Sequence, residues 1–129
     1  MKILGAFYEA WNRGDIDDGL TYVDPDVEVY PGVQAPDAET QYLGHHGFRD
    51  FFVTIASGPW ETVTAEPKEV VETEDDRILS IDNWRFRGRD GIQIDRELPN
   101  LFTFRDGLIS RVQGFTNRAE ALEAAGLSE

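Results

Sequence analysis

The sequence predicts a single α+β domain in which a curved antiparallel sheet wraps around helices and encloses a cavity. Apolar residues recur at helical spacing from Lys2 to Arg13 and again from His45 to Ala56. Between Trp60 and Thr116, in contrast, long alternating stretches are separated by an acidic turn at Glu74-Asp75-Asp76 and by two turns that contain glycine. Strands of this length with an internal proline or glycine usually curl, so we expect a bent sheet rather than a flat one.

The helical part of the chain comprises four predicted helices. The first covers Lys2–Arg13, and Asp15 caps a short second helix. The third covers His45–Ala56, where Ser57-Gly58-Pro59 supplies a glycine just past the last turn and a proline after it. The fourth runs over Arg118–Ala125 and closes the domain.

The β part begins with a short strand over Val27–Tyr30, after a break at Asp24-Pro25-Asp26. Residues Pro31–Tyr42 are rich in proline, glycine and acids, which predicts a loop. Four longer strands follow, over Trp60–Thr73, Arg77–Arg87, Ile92–Phe104 and Leu108–Thr116. Tight turns join consecutive strands, which makes them an antiparallel meander.

Composition argues against several classes of function. A net charge of −13 disfavours nucleic acid, because phosphate contacts need clustered Lys or Arg. The chain has no cysteine, which removes disulfides, thiolate metal sites and cysteine nucleophiles and fits a reducing compartment. Residues 1–20 show no apolar signal-peptide core, and no run approaches the roughly 18 apolar residues of a membrane span. We therefore expect a cytoplasmic protein without nucleic-acid or membrane partners.

Four segments match a known family in the right order. They are Phe7–Asp15, Tyr42–Phe52, Phe102–Val112 and Arg118–Leu122. On these residues the chain resembles the SnoaL-like branch of the nuclear-transport-factor-2-like superfamily, which includes ketosteroid isomerases, polyketide cyclases and limonene epoxide hydrolases. The resemblance implies a cystatin-like cone with three helices in its concave face, a pocket between helices and sheet, and a homodimer formed through the convex face. It specifies the reaction poorly, because one scaffold hosts many chemistries.

Strand parity indicates which side chains reach the pocket, since alternate residues face opposite sides of a sheet. Asp82 and Trp84 share one face of their strand, and Leu98, Asn100 and Phe102 share one face of the next. In the last strand we expect Ser110, Val112, Gly114 and Thr116 on the pocket side. The predicted ligand-binding residues are Phe7, Trp11, Phe51, Trp84, Leu98, Phe102, Val112, Gly114, Thr116 and His45.

Three residues are candidates for catalysis: Asp82, Asn100 and Tyr30. Burying an ionised, unpaired carboxylate costs several kcal/mol, so Asp82 is hydrated, ion-paired with Arg96 or another cross-strand arginine, or protonated as an acid/base group. Asn100 can donate to a developing oxyanion but cannot exchange a proton, or it can satisfy a neighbouring group beside Pro99.

The resemblance also implies what this chain lacks. By this resemblance, the positions that hold the oxyanion donor and the base in the isomerases correspond to Phe7 and Tyr30 here, and the position of the catalytic acid corresponds to Asn100. Because these side chains cannot take over those roles, steroid isomerisation by the family's known residues is not expected. His45, His46 and Asp50 do not form a metal-ligand set on one short helix, and we expect neither metal nor cofactor. Two functions stay open: an isomerase, cyclase or hydrolase acting on an apolar or aromatic small molecule, or a non-catalytic ligand-binding or dimerisation module.

Overall fold

A computed structural model describes residues 2–32, 41–56, 60–73 and 75–127 of the protein. Within these ranges the helices are α1 (Lys2–Arg13), α2 (Ile16–Leu20), α3 (Gly44–Ala56) and α4 (Arg118–Ala124). The strands are β1 (Val23–Tyr30), β2 (Tyr42–Leu43), β3 (Trp60–Glu72), β4 (Arg77–Gly88), β5 (Gln93–Arg105) and β6 (Leu108–Gly114). None of these helices is long and apolar enough to cross a lipid bilayer.

The strands form one six-stranded sheet in the order β2-β1-β6-β5-β4-β3. Neighbouring strands are antiparallel except β1 and β6, which run parallel. The sheet is curved and does not close into a barrel, which confirms the predicted α+β cone. Register shifts interrupt the pairing of β3 with β4 and of β5 with β6, as expected where a long strand bends.

Hydrophobic side chains form two cores, one on each face of the sheet. The core on the concave face packs α1, α2 and α3 against the strands and contains Phe7, Phe48 and Phe102. The core on the opposite face packs α4 against Leu79 and Ile81 of β4. Because β4 is covered on both sides over this stretch, its residues from Ile78 to Asp82 are all buried. Asp82 therefore lies in the interior between the sheet and the helices.

Asn12 of α1 caps the outer edge of β3. Its Nδ2 donates to the carbonyl oxygen of Ala65 at 2.9 Å, and the Ala65 backbone N–H donates to Asn12 Oδ1, also at 2.9 Å. An edge strand exposes unpaired backbone groups, so this pair of bonds satisfies one position of the edge and ties α1 to the sheet.

Several predicted boundaries are confirmed and others are wrong. The bounds of α1 match the prediction, and Asp15 caps α2 by accepting from the backbone N–H of Asp18. The predicted break at Asp24-Pro25-Asp26 is wrong, because these residues lie inside β1, where the pairing with β6 is irregular. The predicted stop at Ser57-Gly58-Pro59 falls outside the described residues, as does most of the predicted loop before β2.

Candidate functional site

A buried carboxylate, Asp82, accepts hydrogen bonds from three side chains. The hydroxyl of Tyr8 in α1 donates to Oδ2 at 2.5 Å, and the hydroxyl of Ser80 donates to Oδ1 at 2.5 Å. Asn100 Nδ2, from the neighbouring strand, donates to Oδ2 at 3.2 Å. Asp82 itself is 0% exposed. The ion-pair alternative is therefore wrong: among the described contacts its partners are hydroxyls and an amide, with no arginine.

Burial raises the pKa of Asp82 above its usual value. The hydrogen bonds from Ser80, Tyr8 and Asn100 act in the opposite direction, because they favour the charged form, but burial outweighs them. The pKa of Tyr8 is raised well above its usual value by burial and by the nearby Asp82 charge. Tyr8 is therefore neutral and holds its proton against Asp82 at any physiological pH.

The pairing register of β4 with β5 explains why Ser80, Asp82 and Asn100 lie together. Ser80 and Asp82 are two residues apart on β4 and so share the concave face. Asn100 of β5 lies directly across from Ser80, which brings its amide within reach of the carboxylate. Tyr8 is one of the buried residues of α1, and its position on the helix places its ring against Phe102, with the ring centroids 5.9 Å apart.

An apolar cavity of about 230 Å³ adjoins this polar cluster. Its walls come from α3, from β3, β4 and β5, and from the segments at the ends of β1 and β6. The lining residues are Pro31, Gly32, Phe51, Thr54, Ile55, Trp60, Val63, Trp84, Phe86, Leu98, Pro99, Asn100, Gly114 and Phe115. None of them is ionisable, and Asn100 is the member that links this cavity to Asp82.

A recess of about 50 Å³ is lined partly by the same residues and leads towards α1. It shares Pro31, Phe51, Trp84 and Asn100 with the larger cavity. Its other lining residues are Phe7, Tyr8, Trp11, Val29, Tyr30, Phe48, Phe102 and Val112. Two grooves of about 370 and 360 Å³ also occur, but they contain neither Asn100 nor Trp84. Ligand sites are usually apolar with a few convergent polar groups, so the cavity beside Asn100 is the candidate site.

Two buried donors of the described residues have no hydrogen-bond partner: Nε1 of Trp11 and Nε1 of Trp84. The two indole rings meet edge to face, with centroids 5.8 Å apart. The indole of Trp84 also faces Asp82 and weakly opposes the rise in its pKa, yet its Nε1 makes no hydrogen bond of normal geometry with the carboxylate. Buried donors are nearly always satisfied in native proteins, so these two call for an explanation.

Most of the predicted ligand-binding residues line the cavity or the recess. Phe51, Trp84, Leu98 and Gly114 border the cavity. Phe7, Trp11, Phe102 and Val112 border the recess. That these residues bind a ligand stays a prediction.

Tyr30 does not join the polar group around Asp82, contrary to its predicted place beside Asp82 and Asn100. Its hydroxyl donates to Glu28 Oε1 at 2.5 Å, which also raises its pKa, and the guanidinium of Arg111 lies 4.9 Å from the centre of its ring. The physical reason is strand parity: Val29 of β1 points into the concave core, so its neighbour Tyr30 directs its hydroxyl to the other face.

His45 and Thr116 also lie away from the cavity, so their predicted places in its wall are wrong. The ring Nε2 of His45 lies 2.7 Å from the carbonyl oxygen of Val23 and donates to it, which anchors the start of α3 to β1. Thr116 is exposed, because β6 ends at Gly114 and the chain turns there. Phe115 takes the place in the wall that parity assigned to Thr116.

The parity predicted for Ser110 is also wrong. A register shift between Thr103 and Phe104 places Ile109 in the concave core, and Ser110 Oγ instead donates to the carbonyl oxygen of Thr103 at 3.1 Å.

As to metals, the described residues contain no group of three or more histidine, cysteine, aspartate or glutamate side chains that could hold an ion.

Sequence reasoning missed two residues of the polar cluster, Tyr8 and Ser80. Ser80 was detectable, since it stands two residues before Asp82 on the same strand face. Tyr8 had a weaker signal: a buried carboxylate needs donors, and Tyr8 is the hydroxyl-bearing member of the apolar stripe of α1. Nothing local in the sequence says that this hydroxyl reaches β4.

Comparison with solved structures identifies proteins of the same fold. TerC, co-crystallised with polyporic acid, has a TM-score of 0.78 at 21% identity, over 96% of this chain and 95% of that one. A putative polyketide cyclase from Xanthomonas campestris pv. campestris has a TM-score of 0.65 at 22% identity, over 97% and 93%. A Mycobacterium tuberculosis protein in complex with estradiol-17beta-hemisuccinate has a TM-score of 0.73 at 16% identity, over 89% and 91%. At these identities the likeness establishes the fold alone.

A family model provides the sequence-level link. No curated protein sequence matches the chain. The model described as a SnoaL-like domain, however, matches residues 4–112, which is most of the 129-residue sequence. The resemblance seen in the sequence motifs is thereby confirmed, and the chain belongs to the SnoaL-like domain family.

Proposed function

We propose that this protein binds a small, flat, apolar molecule of one or two rings between α3 and the concave face of the sheet. The observation that carries the proposal is the apolar cavity of about 230 Å³ with Asn100 in its wall. An engineered apolar cavity of about 150 Å³ holds benzene, so this volume accommodates a monocyclic or bicyclic ligand. Two structures of the same fold, TerC and the Mycobacterium tuberculosis protein, were solved with polyporic acid and a steroid derivative, which supports a small-molecule ligand.

Asn100 is the proposed polar contact for the ligand. Its Nδ2 donates to Asp82, which orients the amide, and Asp82 is itself held by Tyr8 and Ser80. An amide has two N–H donors and a carbonyl acceptor, so one contact with Asp82 leaves further hydrogen-bonding capacity at the cavity wall. Asp82 is thus a positioning residue in this proposal, and Asn100 is the group that touches the ligand.

Binding of 2-naphthol tests the proposal, with quenching of tryptophan fluorescence or calorimetry as the measurement. Asn100→Leu should weaken binding about 3- to 10-fold, which is the loss of one net hydrogen bond. Asn83→Leu is the matched control, since Asn83 lies on the adjacent strand and borders the groove of about 370 Å³ rather than the cavity. Unchanged affinity of Asn100→Leu, or an equal loss in Asn83→Leu, would contradict the role of Asn100. No binding to the wild-type chain would overturn the proposed function.

An acid/base enzyme is the second candidate. The observation in its favour is the pair of Tyr8 and Asp82, since Tyr8 borders the recess and the pKa of Asp82 is raised. In an isomerase, cyclase or hydrolase of this kind, Asn100 would donate to a developing oxyanion. Against it, no ionisable side chain is among the residues that line the larger cavity, and Asp82 stands behind Asn100 and Trp84 rather than in its wall. Non-catalytic binding therefore accounts for more of the site.

We propose in addition that the protein forms a homodimer through the convex face of the sheet. The part of that face not covered by α4 carries charged side chains, including the ion pair of Arg85 with Asp95 at 3.0 Å. Such an interface would be polar and sensitive to salt. Light scattering coupled to size-exclusion chromatography, run over a range of salt concentrations, should give about twice the monomer mass of 14.6 kDa. A monomer mass at every salt concentration would contradict the proposal.

A further inference from the structure

The amide of Asn100 is held in one orientation by the carboxylate behind it. Asn100 Nδ2 donates to Asp82 Oδ2 at 3.2 Å, and the hydroxyls of Tyr8 and Ser80 donate to the same carboxylate. An amide oxygen in the place of Nδ2 would face a group that only accepts hydrogen bonds, so the nitrogen has to lie on the Asp82 side. The oxygen of the same amide, Oδ1, is therefore directed away from Asp82.

Asn100 Oδ1 lies on the side of the residue that faces Gly114. Asn100 and Gly114 are paired across β5 and β6, and a Cβ atom built on Gly114 would lie 3.2 Å from Oδ1. Gly114 borders the larger cavity and not the recess. Because glycine has no side chain, this position does not cover the oxygen on its cavity side.

This oxygen has no donor within the described part of the protein, and it is not sealed off from the cavity. No described residue donates a hydrogen bond to Asn100 Oδ1. The fully enclosed side-chain polar atoms without a partner, again among the described residues, are Nε1 of Trp11 and Nε1 of Trp84. Asn100 Oδ1 is not one of them, and Asn100 is half-buried, so its oxygen has surface open to the cavity.

We infer that the ligand carries a hydrogen-bond donor, an N–H or O–H group on its ring system, that bonds to Asn100 Oδ1. This inference rests on the proposed function, because it names the chemical class of the ligand for the same cavity. It selects a phenol or a heterocycle with a ring N–H over an ether or a hydrocarbon of the same shape. A ligand that covers the oxygen without donating to it leaves a buried acceptor without a partner, which lowers the affinity.

Indole and 1-benzofuran test the inference, because these flat two-ring molecules differ at one position, where indole has an N–H donor and benzofuran has an oxygen. Calorimetry is the measurement, since the fluorescence of indole overlaps that of tryptophan. The wild-type chain should bind indole about 3- to 10-fold more tightly than benzofuran, the gain expected from one net hydrogen bond. Asn100→Leu should bring the ratio of the two affinities close to one.

Thr54→Val is the control variant. Thr54 and Asn100 are the residues of the cavity lining whose side chains carry an oxygen. Thr54→Val removes the hydroxyl and keeps nearly the same side-chain volume, so the preference for indole should remain. Thermal unfolding shows whether both variants are folded. Because the readout is a ratio, a general change in cavity size affects both probes alike.

The outcomes separate the inference from the proposed function. If the wild-type chain binds 2-naphthol but binds indole no more tightly than benzofuran, the inference is overturned and ligand binding stands. A preference for indole that survives in Asn100→Leu, or that is lost in Thr54→Val, would assign the acceptor to another group and would also overturn the inference. If 2-naphthol, indole and benzofuran all fail to bind the wild-type chain, the proposed function fails, and the inference fails with it.

Discussion

Asp82→Ala should lower the free energy of unfolding by at least about 1–3 kcal/mol, the cost of leaving one buried donor without its partner. The substitution takes away the shared acceptor of Tyr8, Ser80 and Asn100, all of which then have to find partners in the interior. It also leaves a void at a position that is 0% exposed. Urea unfolding followed by circular dichroism measures the loss.

Asp95→Ala is the control for this prediction. Asp95 accepts from Arg85 at the surface, where an ion pair contributes little, so the midpoint of unfolding should hardly change. A similar midpoint shift for Asp82→Ala and Asp95→Ala would show that the buried network does not contribute to stability as the contacts indicate.

Asp82→Asn adds a pH readout to the same prediction. The pKa of Asp82 is raised in the folded state, so the contribution of this group to stability is complete below its unfolded pKa of about 3.9 and is lost as the pH rises through the folded pKa. The stability of the wild-type chain relative to Asp82→Asn should therefore fall as the pH rises above about 4. The contribution of Asp24 to stability changes with pH in the opposite direction, because the Asp26 backbone N–H and Arg105 lower its pKa. Both proteins contain Asp24, so its effect cancels in the difference between their stabilities. A flat or rising difference would contradict the prediction.

Gly114→Val should abolish binding of 2-naphthol and destabilise the fold by about 1–3 kcal/mol or more through overpacking. A Cβ atom at Gly114 would lie 2.5 Å from the backbone nitrogen of Gly32 and 3.2 Å from Asn100 Oδ1. Backbone cannot rotate away as a side chain can, so the β6 end and the segment at Gly32 must separate, and Asn100 must shift. Binding titrations together with thermal unfolding measure both effects.

Gly5→Ala is the matched control for Gly114. A Cβ atom at Gly5 meets nothing within 4 Å, and the residue is an exposed position within α1. Replacing a helical glycine by alanine should stabilise the protein by roughly 0.5–1 kcal/mol and leave binding unchanged. Retention of full affinity in Gly114→Val would show that the close approach of Gly32 and Gly114 does not shape the cavity.

Predictions of the secondary structure succeeded where the signal is local. The helical spacing of Phe7 and Trp11 gave α1 with the right bounds, and glycines near the β-turns gave the meander of β3 to β6. The two-residue strand β2 was missed, because Tyr42 and Leu43 become a strand only by pairing with β1. Pairing across a long stretch of sequence leaves no local pattern that could reveal it.

The residues of the candidate site were likewise predicted correctly where the pattern within one strand places them, and wrongly where the pairing of two strands does. Parity correctly placed Trp84, Leu98 and Phe102 towards the helices, because alternation is a property of each strand alone. It failed at Ser110 and Thr116, where a register shift and the end of β6 change the alternation. A bulge depends on how one strand meets its neighbour, and the residues of a single strand do not record it.

Local patterns in this chain are enough to predict its family, its α+β cone and an apolar interior, with Asp82 on the strand face that points towards it. The partners of that acid are a matter of three-dimensional packing: Tyr8 comes from a helix 74 positions away in the sequence, and Asn100 from the neighbouring strand. Which buried donors lack a partner, Nε1 of Trp11 and of Trp84 among the described residues, follows from the same packing. Hydrogen bonds act over about 3 Å between atoms, so they depend on the final placement of side chains and not on residue type or spacing.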